Sequence, residues 1–251
     1  MLTAQRKQFL TDKLRHDGRL VAREIAHVLN VSEDTIRRDL REMAREGLLQ
    51  RVHGGALPAS QATANVTARS SIAPDDKQAI GRAAARLVLP GQVVFVDGGT
   101  TAVQLVRALE PALRATIVTH SPVIAAELLP FENIDVIMLG GRLMRHSMVA
   151  IGAATVEAIG RLHADLYFMG VCSLHPEAGL STGDFEEAGV KRALCLAAAE
   201  TVVLASSEKL ATASPFMVVG LDAIDGIVAP ASVDDALLAP YRHRGITIYP
   251  A

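Results

Sequence analysis

Apolar residues near the start of the chain recur at helical spacing, and the polar residues between them gather on opposite faces. In residues 21–29 the apolar set is Ala22, Ile25, Ala26 and Leu29, which commits one face of a short helix to a small core. Asn30 suits a turn and Val31 returns to the core. Ser32 is placed to cap a second helix, whose first turn carries Glu33 and Asp34 against the positive end of the dipole. Over residues 33–46 the period places Ile36, Leu40 and Met43 on one face. Asp34, Arg38, Arg41 and Arg45 lie opposite, flanked by Thr35 and Arg37. Gly47 ends this helix; residues 48–52 read as a strand, and His53-Gly54-Gly55 as the turn of a small β wing.

A capped helix-turn-helix followed by a wing predicts a DNA-binding head. Ser32, Asp34, Thr35, Arg37 and Arg38 stand near the start of the second helix, where side chains meet base edges, and Arg37 and Arg38 are the base-reading candidates. Arg41, Arg45 and the wing residue Arg51 suit phosphates, with His53 at the wing's turn. Asp34 has two readings: acceptor from a cytosine amino group, or orienter of Arg38 four residues on. An arginine-rich helix face can also be plain solvated surface. Against that stands the joint occurrence of cap, two phased apolar faces and wing.

The pattern changes after residue 74. Runs rich in β-branched residues at 93–96, 116–118, 135–139, 166–171, 201–205 and 227–228 read as strands. They alternate with stretches of helical length at 76–89, 101–109, 149–159 and 185–199. Alternation of this kind predicts an α/β domain with a mainly parallel sheet, whose ligand would sit beyond the carboxyl ends of the strands. Hydroxyls, glycines and cations recur there. The first strand runs into Asp97-Gly98-Gly99-Thr100-Thr101 and a helix, an arrangement able to cradle a phosphate or simply to make a tight turn. Other strand ends carry His120 and Ser121, Gly141, Gly170 and Lys209, and a later helix carries Glu187 and Lys191. The Gly98–Thr101 loop is neither a P-loop nor a dinucleotide fingerprint.

Thr35-Ile36-Arg37-Arg38-Asp39-Leu40 and Arg51-Val52-His53-Gly54-Gly55-Ala56 resemble the DeoR family of bacterial transcriptional repressors, and the resemblance runs through nearly all of the chain. It implies a winged helix-turn-helix head and a sugar-phosphate-sensing body with a fold similar to ribose-5-phosphate isomerase. It further implies phosphate contacts from Gly98, Gly99, Thr100 and Thr101, and ligand contacts from Ser121, Glu187, Lys191 and Lys209. Two segments depart from the family pattern. Thr119-His120-Ser121 stands where members commonly have Thr-Asn-Ser, and Asp225-Gly226-Ile227-Val228-Ala229-Pro230 lacks the acidic residue that often ends its counterpart. His120 is read equally as a ligand contact or as a hydrogen-bonding or surface histidine.

The expected division is a head over residues 1–57, a small, polar linker over 58–74 and a sensor over 75–251. Charge follows it: the net −2 divides into +3 for residues 1–58 and −5 for the remainder, which confines attraction for DNA to the head. Cys172 and Cys195 show no pairing motif and read as buried thiols of a cytoplasmic protein. The first residues lead into an amphipathic helix rather than a signal sequence, and Glu200 interrupts the longest apolar run, so no membrane partner is expected. The expected partners are double-stranded operator DNA, a phosphorylated sugar or related effector, and further copies of the chain, because one recognition helix covers only a half-site. No cofactor and no metal site are expected. The competing function is a sugar-phosphate isomerase with an accessory DNA-binding module, using Asp97 or Glu187 as base.

Overall fold

A computed structural model describes residues 2–60 and 66–251. In the head, α1 (Thr3–Asp17), α2 (Ala22–Leu29) and α3 (Glu33–Arg45) pack around Leu10, Ile25, Ile36, Leu40 and Met43. The strands β1 (Leu20–Val21), β2 (Leu49–Val52) and β3 (Gly55–Pro58) form an antiparallel sheet in the order β1-β3-β2. Asn30 closes α2 in the left-handed conformation, with its N–H on the Ala26 and His27 carbonyls, as the turn requires. The wing's second glycine has a steric cause. A Cβ on Gly55 would lie 1.7 Å from the Leu20 carbonyl oxygen, so β1 and β3 can pair only with glycine there.

The body begins with α4 (Val66–Ser70) and α5 (Pro74–Ala85). There follow β4 (Val93–Val96), α6 (Thr100–Arg107), β5 (Ala115–Thr119), α7 (Pro122–Leu128), β6 (Ile134–Met138), and the hairpin β7 (Arg142–Met144) and β8 (Val149–Ile151). Next come α8 (Ala153–Ile159), β9 (Ala164–Gly170), β10 (Ser173–His175), β11 (Gly179–Thr182), α9 (Phe185–Leu196) and β12 (Ala198–Leu204). The chain closes with β13 (Phe216–Val219), β14 (Gly226–Ala229), α10 (Asp235–Arg242) and β15 (Thr247–Pro250). Seven strands make one parallel sheet in the order β15-β14-β12-β9-β4-β5-β6. The order reverses at β4. The chain first builds outward through β5 and β6, then returns to place β9 on β4's other side, so the crevice at the carboxyl ends of β4 and β9 is the switch point.

Both faces of the sheet are covered, and the strands are apolar on both. Along β9, Leu166 and Phe168 enter the core beneath α5, α6 and α7, while Tyr167 and Met169 enter the core beneath α8, α9 and α10. This is the α/β architecture that the alternation predicts. No helix among the described residues is long and apolar enough to cross a membrane.

Two expectations are corrected. Residues 149–159 are not one helix: Val149 and Ile151 are β-branched and buried in β8, and Gly152 at φ 101° breaks the chain before α8. The stretch 58–74 is not a loose linker where it is described. Pro58 belongs to β3, Ala59 bridges to Ala213, the Ser60 hydroxyl donates to the Cys172 carbonyl at 2.5 Å, and α4 packs near α6. Residues 61–65 of that stretch, and Met1 of the expected head, lie outside the described residues.

Candidate DNA interface and effector cleft

Ser32 caps α3 through its hydroxyl, which accepts from the Thr35 N–H at 3.2 Å and meets the Thr35 hydroxyl at 2.8 Å. Asp34, Arg37, Arg38, Arg41 and Arg45 are exposed along the helix, and Arg51 and His53 are exposed on the wing. The acids on α3 are nearly all engaged. Glu33 accepts from Arg37 at 2.6 Å, Glu42 and Glu46 share Lys7 at 3.2 and 3.0 Å, and Asp39 is buried against Arg6. Arg38, Arg41, Arg45 and Arg51 make no ion pair among the described residues, and Asp34 does not pair with Arg38. The helix therefore presents unneutralised guanidinium groups along one line, a geometry suited to a phosphate backbone. Sequence periodicity located this face but missed Arg6 and Lys7 of α1, whose partners on α3 become visible only once α1 lies across α3.

Asp97 organises the base of the body's cleft. Its carboxylate is fully buried and accepts five hydrogen bonds: His120 Nε2 at 2.8 Å and Gly98 N–H at 2.8 Å on Oδ1, and Tyr167 hydroxyl at 3.0 Å, Gly170 N–H at 2.9 Å and Lys191 Nζ at 2.5 Å on Oδ2. Burial alone would raise this carboxyl, but Lys191 and His120 outweigh it and hold the group well below the ordinary carboxylate range. Lys191 is pulled down by burial and, more strongly in sum, up by Asp97 and Glu187, so it stays protonated. The effect is to tie the ends of β4 and β9 to α9.

Above this base opens a narrow cleft. Gly98, Gly99, Thr100, Thr101, Gly170, Glu187, Lys191 and Lys209 all line it. Gly99 has φ 123°, a conformation that turns the backbone sharply into the first turn of α6 and disfavours any side chain. Burial pushes the Lys209 amine down to about 8, and among the described residues its one hydrogen bond is a 3.3 Å contact with the Leu204 carbonyl. Lys77 is lowered by burial as well and donates to the Arg69 and Ile72 carbonyls at 2.5 Å each.

Four expected positions fall outside the cleft lining. Asp97 lies beneath it as a support. His120 is fully buried, bridging Asp97 to the Ala150 carbonyl at 2.9 Å, so it positions the loop. Ser121 caps α7 and donates to the Met148 carbonyl at 3.0 Å. Gly141 is exposed at the start of the β7–β8 hairpin, where a Cβ would lie 2.1 Å from the Thr155 hydroxyl.

The cleft also gathers Arg69, Lys77, Thr182 and Glu208, which were not among the expected site residues. Arg69 had a signal: between Arg51 and Asp75 it is the sole Lys, Arg, Asp or Glu. Among the described residues no group of three or more His, Cys, Asp or Glu side chains is placed to hold a metal ion.

Head and body each match a known family profile. The DeoR-like helix-turn-helix domain covers residues 6–62 and the DeoR C terminal sensor domain covers 72–230. The chain belongs to the DeoR family. A DeoR relative from Haloferax volcanii, HTH-type transcriptional regulator GlpR, is 33% identical and spans 99% of this chain and 98% of its own. The HTH-type transcriptional repressor GlcR of Bacillus subtilis is 29% identical over 99% of this chain and 96% of its own. The glycerol-3-phosphate regulon repressor of Escherichia coli is 31% identical over 77% of each. Among solved structures, ribose 5-phosphate isomerase A from Methanocaldococcus jannaschii aligns over 54% of each chain with TM-score 0.39 and 21% identity. This DeoR protein is thus a transcriptional regulator with a DNA-binding head and a sensor body.

Proposed function

We propose that this protein represses a sugar or related carbon-source operon from the cytoplasm, and that a phosphorylated metabolite bound in the body cleft controls it. The observation that carries this reading is the cation surplus at the switch point. With Lys191 engaged by Asp97 and Glu187, the residues Arg69, Lys77 and Lys209 face Glu208 as the remaining acid of the lining, beside the Gly98–Thr101 loop and the amino end of α6. A phosphate dianion complements that field. The names of relatives, a "putative aga operon transcriptional repressor" and the glycerol-3-phosphate regulon repressor among them, support the same class of role.

In this reading Arg37 and Arg38 meet bases, Arg41, Arg45 and Arg51 meet phosphates, and Ser32, Asp34, Thr35 and His53 lie at the edge of the contact. Two heads in a homo-oligomer cover a full operator. Of the isomerase alternative's two candidate bases, Asp97 is a poor proton acceptor, with five donors and a strongly lowered carboxyl, and Glu187 is engaged by the Thr182 hydroxyl and Lys191. A thermal-unfolding screen of the full chain against phosphorylated sugars, polyols and sugar acids, with their unphosphorylated counterparts beside them, tests the proposal. Stabilisation by a phosphorylated compound and not its parent is expected; turnover of ribose 5-phosphate, or stabilisation by parents alone, contradicts it.

A further inference from the structure

Four buried side-chain atoms among the described residues have no hydrogen-bond partner: Arg69 Nε, Arg69 Nη2, Thr101 Oγ1 and Glu208 Oε2. All three residues line the same cleft. Buried polar groups are ordinarily satisfied, and a guanidinium withdrawn from water without an acceptor is costly. Arg69 and Glu208 bear opposite charge yet do not pair, so each is left facing the space between the cleft walls. A ligand that offers acceptor oxygens to Arg69 and Thr101 and a hydroxyl hydrogen to Glu208 would satisfy all four atoms.

We propose that Arg69 is an effector-binding residue, supplied by the connection between head and body, and that it grips the anionic end of a hydroxylated phosphomonoester. The inference rests on reading the cleft as an effector site and adds the residue that links the site to the head. A planar guanidinium can meet two phosphate oxygens at once, which a lysine cannot. Its positive charge also opposes those of Lys77 and Lys209, so an arriving dianion relieves three mutually repelling cations together. The location matters as much as the chemistry. Arg69 lies in α4, and at the other described end of the connection Ser60 is hydrogen-bonded to Cys172, which lines the same cleft. Arg69 thus lines the ligand space directly, and Ser60 reaches it through Cys172.

Inorganic phosphate, titrated into the full-length protein by calorimetry and thermal unfolding, tests this with Arg69→Gln, Arg69→Lys and Thr100→Asp beside the wild type. Phosphate should stabilise the wild type and should not stabilise Thr100→Asp, whose carboxylate occupies the anion's place. Arg69→Gln should bind phosphate at least about tenfold more weakly, and Arg69→Lys should fall between. Without phosphate, Arg69→Gln should unfold at a temperature no lower than the wild type, because it removes two buried guanidinium nitrogens that lack a partner. Wild-type affinity in Arg69→Gln, together with loss in Thr100→Asp, would overturn the role of Arg69 and leave the cleft standing. A lowered unfolding temperature for ligand-free Arg69→Gln would overturn it as well, marking a structural arginine. No response of the wild type to phosphate would remove both the inference and the effector reading beneath it.

Discussion

Single residues divide the two sites into groups that touch a ligand and groups that hold those in place. On α3, Arg38 is exposed and unpaired near the capped end, whereas Arg45 lies three turns from the cap. Arg38→Ala should cost about 1–3 kcal/mol on specific DNA and relax preference at one base position. Arg45→Ala should weaken specific and random DNA alike and flatten the salt dependence. Competition binding at several salt concentrations separates them, and equal loss on both DNAs for Arg38→Ala would remove its base-reading role. In the cleft, Lys209 makes effector binding sensitive to pH. Its amine falls from an ordinary 10.5 to about 8 in the ligand-free fold, so between those values the unfolded chain binds more protons and ligand-free stability rises with pH. An anion favours the protonated amine, so effector affinity should decline above about pH 8, with proton uptake on binding. Calorimetry in buffers of different ionisation enthalpy measures that uptake; Lys209→Met should abolish it, and an unchanged uptake in that variant would place the titrating group elsewhere.

Elements with a strong period were legible in the sequence, and elements fixed by tertiary contact were not. The cap, turn and two faces of α3 follow from Ser32, Asn30 and the Ile36-Leu40-Met43 spacing, because local geometry and core burial point the same way. The three-residue strands of the β7–β8 hairpin are too short to show alternation, and β15 ends in a proline that only an edge strand tolerates. The glycine-threonine loop after β4 was visible at a strand end, but Arg69 was hidden in a stretch whose small, polar composition suggests a linker. For His120 the sequence left ligand contact and hydrogen-bonding histidine equally open, because position along the chain cannot tell a residue facing a cleft from one beneath it. Asp39 is a comparable case on α3. It sits within the arginine-rich sequence yet accepts from Arg6 Nη2 at 3.0 Å and from Arg6 Nε, fully buried, and so joins α1 to α3. Asp39→Ala should destabilise the head by about 3–5 kcal/mol by stranding Arg6, while Arg6→Met with Asp39→Leu should recover much of the loss. Chemical denaturation followed by head-specific probes checks this; a near-neutral Asp39→Ala would deny the pair its structural role.

At the scale of the whole molecule, the cleft and the head are joined by a connection anchored to the body at Ala59, Ser60 and Arg69. Besides the Ser60–Cys172 and Ala59–Ala213 contacts, Arg19 of the head meets Glu177 of the body at 3.1 Å. Ligand binding can shift the head only by binding its two poses with different affinity, and the connection is where such a difference can be read. Testing this requires a cleft variant that keeps its fold. Gly99 is unsuitable, since φ 123° strains any side chain there, whereas Thr100 opens α6 and an acid at that position favours the helix. The central claim is that anion occupancy of the Gly98–Thr101 cleft controls DNA binding. The most direct measurement is an anisotropy titration of labelled operator DNA with wild-type and Thr100→Asp protein, with and without the stabilising phosphorylated metabolite. The wild type should change its operator affinity when the metabolite is added, with release expected for a catabolic repressor. Thr100→Asp should bind the same DNA with wild-type strength and ignore the metabolite. A well-folded Thr100→Asp protein that keeps the wild-type metabolite response would place the effector site elsewhere and contradict the account.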